Sequence, residues 1–152
     1  MSGRLTAALT LYTGDRDVAE ELAQEALARA WEHWDRVGAM ASPEGWVFRT
    51  ARNLAVSRWR RRAIERRARA GSRADTVADP AEAVALREAV ARLPERQRAT
   101  IVARFYLGLS VAETALHLDC AEGTVKAATS QALDRLRSAG FVDETAVEGT
   151  AS

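Results

Sequence analysis

The chain is poor in the residues that build covalent or metal-centred chemistry. Its 152 residues include one cysteine, Cys120, and two histidines, His33 and His117. A single cysteine excludes an internal disulfide and is typical of proteins that work in a reducing compartment. Neither histidine has a cysteine or carboxylate cluster at ligand spacing beside it. We therefore expect no metal site and no cofactor.

Long apolar runs are also missing. The sequence contains no stretch of eighteen consecutive apolar residues, which argues against a transmembrane helix. The first residues show neither a charged leader nor the apolar segment that directs secretion. Hydrophobic residues still make up 47% of the chain, which is enough to form packed cores. We expect a cytoplasmic protein with no membrane insertion.

Signals for β-strands are absent as well, and prolines occur at three positions, 43, 80 and 94. Alanine, leucine, glutamate and arginine dominate, and all four favour helices. Residues 70–83, AGSRADTVADPAEA, are small and polar and contain a proline, which is typical of a flexible linker. The sequence therefore predicts an all-α protein of two small helical modules, at 1–69 and 84–140, joined by the linker 70–83 and followed by a disordered tail, 141–152.

The net charge of +1 conceals a strong asymmetry. Between Arg49 and Arg73 there are ten arginines and a single acid, Glu65. Between Asp15 and Asp35, seven acids stand against two arginines. A small protein with one basic and one acidic surface usually has two kinds of partner.

The acidic segment is predicted to form a helix. TGDRD, residues 13–17, is a turn followed by a helix start, with Asp15 or Asp17 as the cap. An apolar stripe at helical spacing follows, formed by Val18, Leu22, Ala26, Leu27, Ala30 and Trp34. Another face of the same helix carries Glu21, Gln24, Glu25, Ala28 and Glu32. One side is thus suited to a core and the other to solvent or a partner.

The basic segment is predicted to form a second helix that opens at Trp46. Its core positions are Val47, Ala51, Leu54 and Ala55, and a different side carries Arg49, Arg52, Asn53, Val56 and Arg60. Arginines with an interleaved aromatic residue, Trp59, suit phosphate contacts combined with base stacking. The alternative is a solvated charge run in which Trp46 and Trp59 are helix-packing residues.

The C-terminal half has the spacing of a helix-turn-helix. Ser110 is placed to cap a short helix with the small Ala115 at its middle, and DCAEG, residues 119–123, forms a tight turn. Thr124 is then expected to cap a longer helix whose Val125, Leu133 and Leu136 face inward. This pattern leaves the outer face of the second helix free for a major groove. The alternative is an ordinary helical hairpin.

The chain resembles an extracytoplasmic-function (ECF) sigma factor in three segments, which occur in that family's order. They are DVAEELAQEALARAW (17–31), WVFRTARNLAVSRWRRR (46–62) and LPERQRATIVARFYLGLSVAETALHLDCAEGTVK (93–126). ECF sigma factors are small bacterial subunits that give RNA polymerase its promoter specificity. The resemblance spans nearly all of residues 11–139 and implies a region 2-like helical bundle and a region 4-like helix-turn-helix.

The resemblance also implies partners and site residues. Core RNA polymerase would be bound through the clamp helices of its largest subunit, at the positions matched here by Glu21, Gln24 and Glu25. Promoter DNA would meet the chain at the minus-ten element through Arg49, Arg52, Asn53, Ser57, Arg58, Trp59 and Arg60. The minus-thirty-five element would be read by Thr124, Lys126, Ala127, Ala128 and Gln131. An anti-sigma factor is a further candidate partner.

Two other functions fit parts of the sequence. A helix-turn-helix regulator of the response-regulator output type would explain residues 110–137 but not the acidic and arginine-rich helices. A helical interaction protein without a nucleic-acid role would treat the basic run as a solvated face. No nucleophile–base pair, phosphate loop or carboxylate dyad is visible in the sequence, so we do not expect an enzyme. With Lys126 as the one long cation early in the recognition helix, weak readout of the upstream element is predicted.

Overall fold

The computed structural model describes residues 2–66 and 81–141, and every regular element in these two ranges is helical. The predicted all-α fold is confirmed. The chain divides into two compact units, Met1–Ala78 and Asp79–Ser152. Most of the predicted linker (70–80) and the tail beyond 141 lie outside the described residues, while the first helix of the second unit begins at Ala81.

Within residues 2–66, the first unit has four helices. They are α1 (Ser2–Thr13), α2 (Arg16–Glu32), α3 (Trp34–Val37) and α4 (Pro43–Arg66). Helix α1 packs against α2 and α4, and α2 packs against α4. The core therefore lies among three long helices, and the outer faces of α2 and α4 point away from it.

The turn between α1 and α2 follows the local chemistry of its residues. Gly14 adopts φ +77°, and its amide donates a hydrogen bond to the Thr10 carbonyl at 2.8 Å, which closes α1. The Asp15 side chain then accepts from the amides of Asp17 (2.9 Å) and Val18 (3.2 Å). Of the two predicted caps, Asp15 is the one that begins α2.

The predicted apolar stripe of α2 is buried along most of its length. Leu22, Ala26 and Ala30 are buried, whereas Trp34 is 43% exposed. The stripe ends early because α2 stops at Glu32 and Trp34 begins the separate helix α3. There the Trp34 ring covers the backbone of Gly38, where an added Cβ would lie 2.9 Å from the indole Cε2.

Helix α4 begins at Pro43, three residues before the predicted start at Trp46. Proline suits the first helical position because its missing N–H would have no intrahelical partner there. The Ser42 hydroxyl accepts a hydrogen bond from the Gly45 amide at 3.2 Å, and Glu44 lies in the first turn. The helix starts earlier than predicted because Pro43 occupies its first position and does not interrupt it.

The core of the first unit is partly aromatic. Phe48 of α4 is fully buried, and its ring meets Tyr12 of α1 edge-on with centroids 5.7 Å apart. The Trp59 ring lies against the same tyrosine at 5.4 Å. These contacts fix α4 against α1 over three turns, from Phe48 to Trp59.

The second unit contains α5 (Ala81–Ala91), α6 (Glu95–Ile101), a π-helical turn (Val102–Tyr106), α7 (Val111–Leu118) and α8 (Glu122–Ser138). Helices α6 and α7 both pack against α8. The Leu107 amide donates to the Val102 carbonyl at 3.0 Å, which is the i→i+5 bond of the π-helical turn.

The helix-turn-helix is formed by α7 and α8. Ser110 accepts from the Glu113 amide (3.0 Å) while the Glu113 carboxylate accepts from the Ser110 amide (3.1 Å), a capping box. Asp119 ends α7 in the left-handed region, at φ 55° and ψ 53°. The predicted cap of α8 is wrong: the helix begins at Glu122 after Ala121, and Thr124 lies inside its first turn.

Candidate protein and nucleic-acid interfaces

The acidic face of α2 is presented to solvent. Glu21 and Gln24 are exposed, and the Glu25 side chain keeps 42% of its surface accessible. Glu20, also exposed, is paired with Arg16 at 3.2 Å, and Glu25 with Arg29 at 3.1 Å. These i,i+4 pairs hold the acids along the helix surface without removing them from water.

Two of these acids also contact α4. Arg58 Nη1 lies 3.1 Å from Glu21 Oε2, and Arg58 Nη2 lies 3.8 Å from Glu25 Oε2. The arginine side chain is 30% exposed, and the Glu21 side chain 68%. A residue assigned from sequence to the DNA surface is thus engaged with two residues assigned to the polymerase surface.

The remaining residues of the predicted minus-ten set differ in exposure. Asn53, Ser57 and Arg60 are exposed, while Arg49 and Arg52 are half-buried. Trp59 is half-buried against Tyr12, so its ring serves helix packing, the alternative that the sequence left open. The exposed face of α4 therefore carries fewer of the predicted DNA-binding residues than the sequence indicates.

An open groove of about 590 Å³ lies beside this face. Helix α4 contributes Trp46, Thr50, Asn53, Leu54 and Ser57 to its lining. The end of α2 and the segment after it contribute Arg29, Glu32, His33 and Arg36. Amide, hydroxyl, imidazole and guanidinium groups around one indole ring can hydrogen-bond a planar polar ring and receive a neighbouring anion.

Sequence reasoning missed most of the groove. Of its nine lining residues, it had assigned Asn53 and Ser57 to a site. The groove residues between Arg29 and Arg36 lie at least ten positions before Trp46, the first groove residue of α4, and no periodicity connects the two sets. The available signal for the groove was Trp46, the tryptophan at the start of the arginine-rich segment.

Helix α8 presents a short exposed face. Lys126, Ala127 and Gln131 are exposed, and Thr124 is half-buried. Gln97 Nε2 donates a hydrogen bond to Gln131 Oε1 at 3.2 Å, which ties this side chain to α6. Ala128 is 5% exposed and lies in the core with Val125 and Ala132. Its predicted position on the DNA-facing side does not agree with this placement, because residues at 125, 128 and 132 share one helical face.

Among the described residues, no group of three or more histidine, cysteine or acidic side chains is arranged to hold a metal ion. No helix within those same residues is both long enough and apolar enough to cross a membrane.

Family models match both units. The model of Sigma-70 region 2 matches residues 2–64, and the model of Sigma-70 region 4 matches residues 83–136. The first match contains the acidic face of α2 and all of the groove. The second contains α7 and α8 up to Leu136.

Individual relatives agree with these matches. The chain is 34% identical to the ECF RNA polymerase sigma factor SigL of Mycobacterium tuberculosis, over 82% of this chain and 76% of SigL. It is 31% identical to the ECF RNA polymerase sigma factor EcfG of Rhodopseudomonas palustris, over 86% of this chain and 76% of EcfG. Its fold is similar to that of the sigma factor RpoE from Bartonella quintana, solved in complex with the anti-sigma factor NepR. That similarity has a TM-score of 0.79 and 30% identity, and covers 92% of this chain and 91% of RpoE.

Proposed function

We propose separate roles for the two units of this chain, which belongs to the ECF family of RNA polymerase sigma factors. It binds core RNA polymerase and promoter DNA, and it directs promoter recognition and transcription initiation. As a subunit that lends specificity, it has no catalytic activity of its own, and it works in the cytoplasm, where polymerase and promoter meet. The functional regions are 1–69 and 84–140, joined by the linker 70–83.

The acidic face of α2 is the polymerase-docking surface in this proposal. Glu21, Gln24 and Glu25 occupy one exposed helical face, and this single observation carries the proposal. Their expected partner is the pair of clamp helices in the largest polymerase subunit. Opposite charges across such an interface raise the rate of association and fix its register.

The outer face of α4 and the adjoining groove hold the minus-ten element. Arg49, Arg52 and Arg60 supply charge for the strand backbone, while Asn53 and Ser57 line the groove. An asparagine amide can make two hydrogen bonds to the edge of an adenine. Trp46, at the same groove, offers an indole face for stacking a base that has left the duplex.

The exposed face of α8 contacts the minus-thirty-five element. Lys126, Ala127 and Gln131 are the contact residues, with Thr124 beside them, and Ala128 packs inward. One good bidentate contact contributes about 1–3 kcal/mol of base discrimination. Since alanine offers no such contact, the second unit contributes register more than sequence choice. An anti-sigma factor is a further proposed partner, by similarity to the Bartonella complex.

The docking surface is tested by replacing Glu21, Gln24 and Glu25 together with alanine. The variant is expected to lose co-purification with core polymerase while keeping its helical content, because the interface loses both its charge and its central amide. The matched control is Glu122→Ala with Asp134→Ala, which also removes two negative charges, but from exposed positions of α8. If the triple variant co-purifies as well as this control, the docking assignment is wrong.

A further inference from the structure

We infer that Arg58 is a positioning residue of the polymerase-docking surface and not a ligand of the promoter strand. This inference rests on the proposed docking role of Glu21 and Glu25. It separates Arg58 from the arginines around it in sequence, which pattern alone treats as equivalent. It also gives the acidic face a cationic member from another helix.

The geometry of Arg58 matches a bridge between two carboxylates. Its two terminal nitrogens contact different acids, Glu21 at 3.1 Å and Glu25 at 3.8 Å. The second oxygen of Glu25 is held by Arg29 at 3.1 Å. A planar guanidinium with donors in a fixed fork can hold two acceptors at once, which a single ammonium group does less well.

The same contacts disfavour phosphate binding by the Arg58 guanidinium. Two carboxylates within 4 Å of its guanidinium would repel an approaching anion, and 70% of the side-chain surface is already covered. Arg60, two residues further along α4, is exposed and forms no ion pair with any described residue. The two arginines therefore differ in environment although they are near neighbours in sequence.

The bridge has a physical effect on the docking face. Glu21 and Glu25 are four residues apart on one helix, where two like charges repel each other. Without Arg58, both side chains would sample more rotamers and would lose more entropy when a partner orders them. Held in place by a shared cation, they meet the polymerase already ordered, and pre-ordered groups bind more tightly.

The first measurement compares the affinity for core polymerase of Arg58→Ala, Arg58→Lys and the control Arg60→Ala, by fluorescence titration of the full chain. We expect Arg58→Ala to weaken binding by about fivefold, the upper range for exposed ion pairs. Arg58→Lys keeps the charge but loses the fork, so a loss of about twofold is expected. Arg60→Ala should bind as the natural protein does. An Arg58→Ala variant that binds equally well or more tightly would overturn the inference, since removal of a competing cation would then be the dominant effect.

The second measurement asks whether Arg58 touches DNA. Promoter affinity is measured against salt concentration at saturating polymerase, where docking differences no longer contribute. Each lost phosphate contact reduces the slope of log affinity against log salt by about 0.7–0.9. That decrease is expected for Arg60→Ala and not for Arg58→Ala. If Arg58→Ala shows it, Arg58 is a strand contact and the positioning role is excluded.

The two proposals fail in different ways. If the triple variant at Glu21, Gln24 and Glu25 still binds polymerase, the docking surface itself is wrong and the role of Arg58 with it. If the triple variant loses binding while Arg58→Ala does not, the docking surface stands and the inference about Arg58 is overturned. Thermal melting of each variant separates a docking defect from unfolding.

Discussion

The burial of Ala128 leads to a sharp prediction for helix α8, because its exposed neighbour provides a matched control. Ala128 is 5% exposed on the face that α6 and α7 cover, whereas Ala127 is exposed. Arginine at 128 would overfill the core, at a cost of about 1–3 kcal/mol. It would also draw a cation toward an apolar site, which adds about 1–3 kcal/mol for an unsatisfied polar group.

An arginine can carry its charged end outward along its aliphatic stem, which limits the total. We therefore expect Ala128→Arg to destabilise the second unit by roughly 2–4 kcal/mol, which is less than the overpacking cost and the polar-group cost would give if both applied in full. For a domain of this size, each kcal/mol lowers the Tm by about 4–8 °C, so the Tm should fall by roughly 10–30 °C. Ala127→Arg should change stability by less than about 0.5 kcal/mol, as surface substitutions usually do.

The assay can assign the change to one unit. All four tryptophans lie between Trp31 and Trp59, within the first unit, so tryptophan fluorescence reports on that unit alone. Far-ultraviolet circular dichroism reports on the helices of both. Ala128→Arg should shift part of the dichroism melt and leave the fluorescence melt unchanged. Coincident melts for Ala128→Arg and Ala127→Arg would refute the placement of Ala128 in the core.

Three further substitutions test local features. Phe48→Ala removes a fully buried ring and its contact with Tyr12. The free energy of unfolding of the first unit should fall by about 3–5 kcal/mol, measured by urea unfolding followed by tryptophan fluorescence. A decrease below about 1 kcal/mol would contradict the core described above. Ser110→Ala should destabilise the second unit by about 1 kcal/mol in a dichroism melt, because the capping box is lost, and an unchanged Tm would argue against that box. Asp119→Gly should leave the second unit equally stable or stabilise it by up to about 1 kcal/mol. The reason is that glycine adopts the left-handed conformation without strain, and this gain outweighs the entropy that it adds to the unfolded chain. A clear destabilisation would show that the aspartate itself is needed.

Much of the fold was predictable because its signals are local. The all-α class follows from composition and helical spacing, and the caps at Asp15 and Ser110 follow from side chains that satisfy amides a few residues away. The left-handed end of α7 at Asp119 fits a residue type that tolerates this conformation. Thr124 was a false cap, because α8 begins two residues earlier at Glu122, after Ala121, which makes no side-chain cap.

The sites were less predictable because they depend on contacts between helices. The bridge from Arg58 to Glu21 spans 37 positions, and nothing in either helix alone selects this arginine from its neighbours. The groove likewise forms only where the end of α2 and the segment after it meet residues 46–57 of α4. Ala128 is different, since its spacing from Val125 and Ala132 could have identified it as a core position.

The most direct test of the account is reconstituted transcription with purified core polymerase, the full chain and a set of genomic promoter fragments. We expect initiation at a subset of fragments only when the chain is added, with the start sites sharing one minus-ten element. Replacement of Asn53 by alanine should weaken initiation at those sites without weakening polymerase binding, because Asn53 lines the groove and not the docking surface. Polymerase that initiates equally with and without the chain would contradict the assignment of this protein as a promoter-specificity subunit.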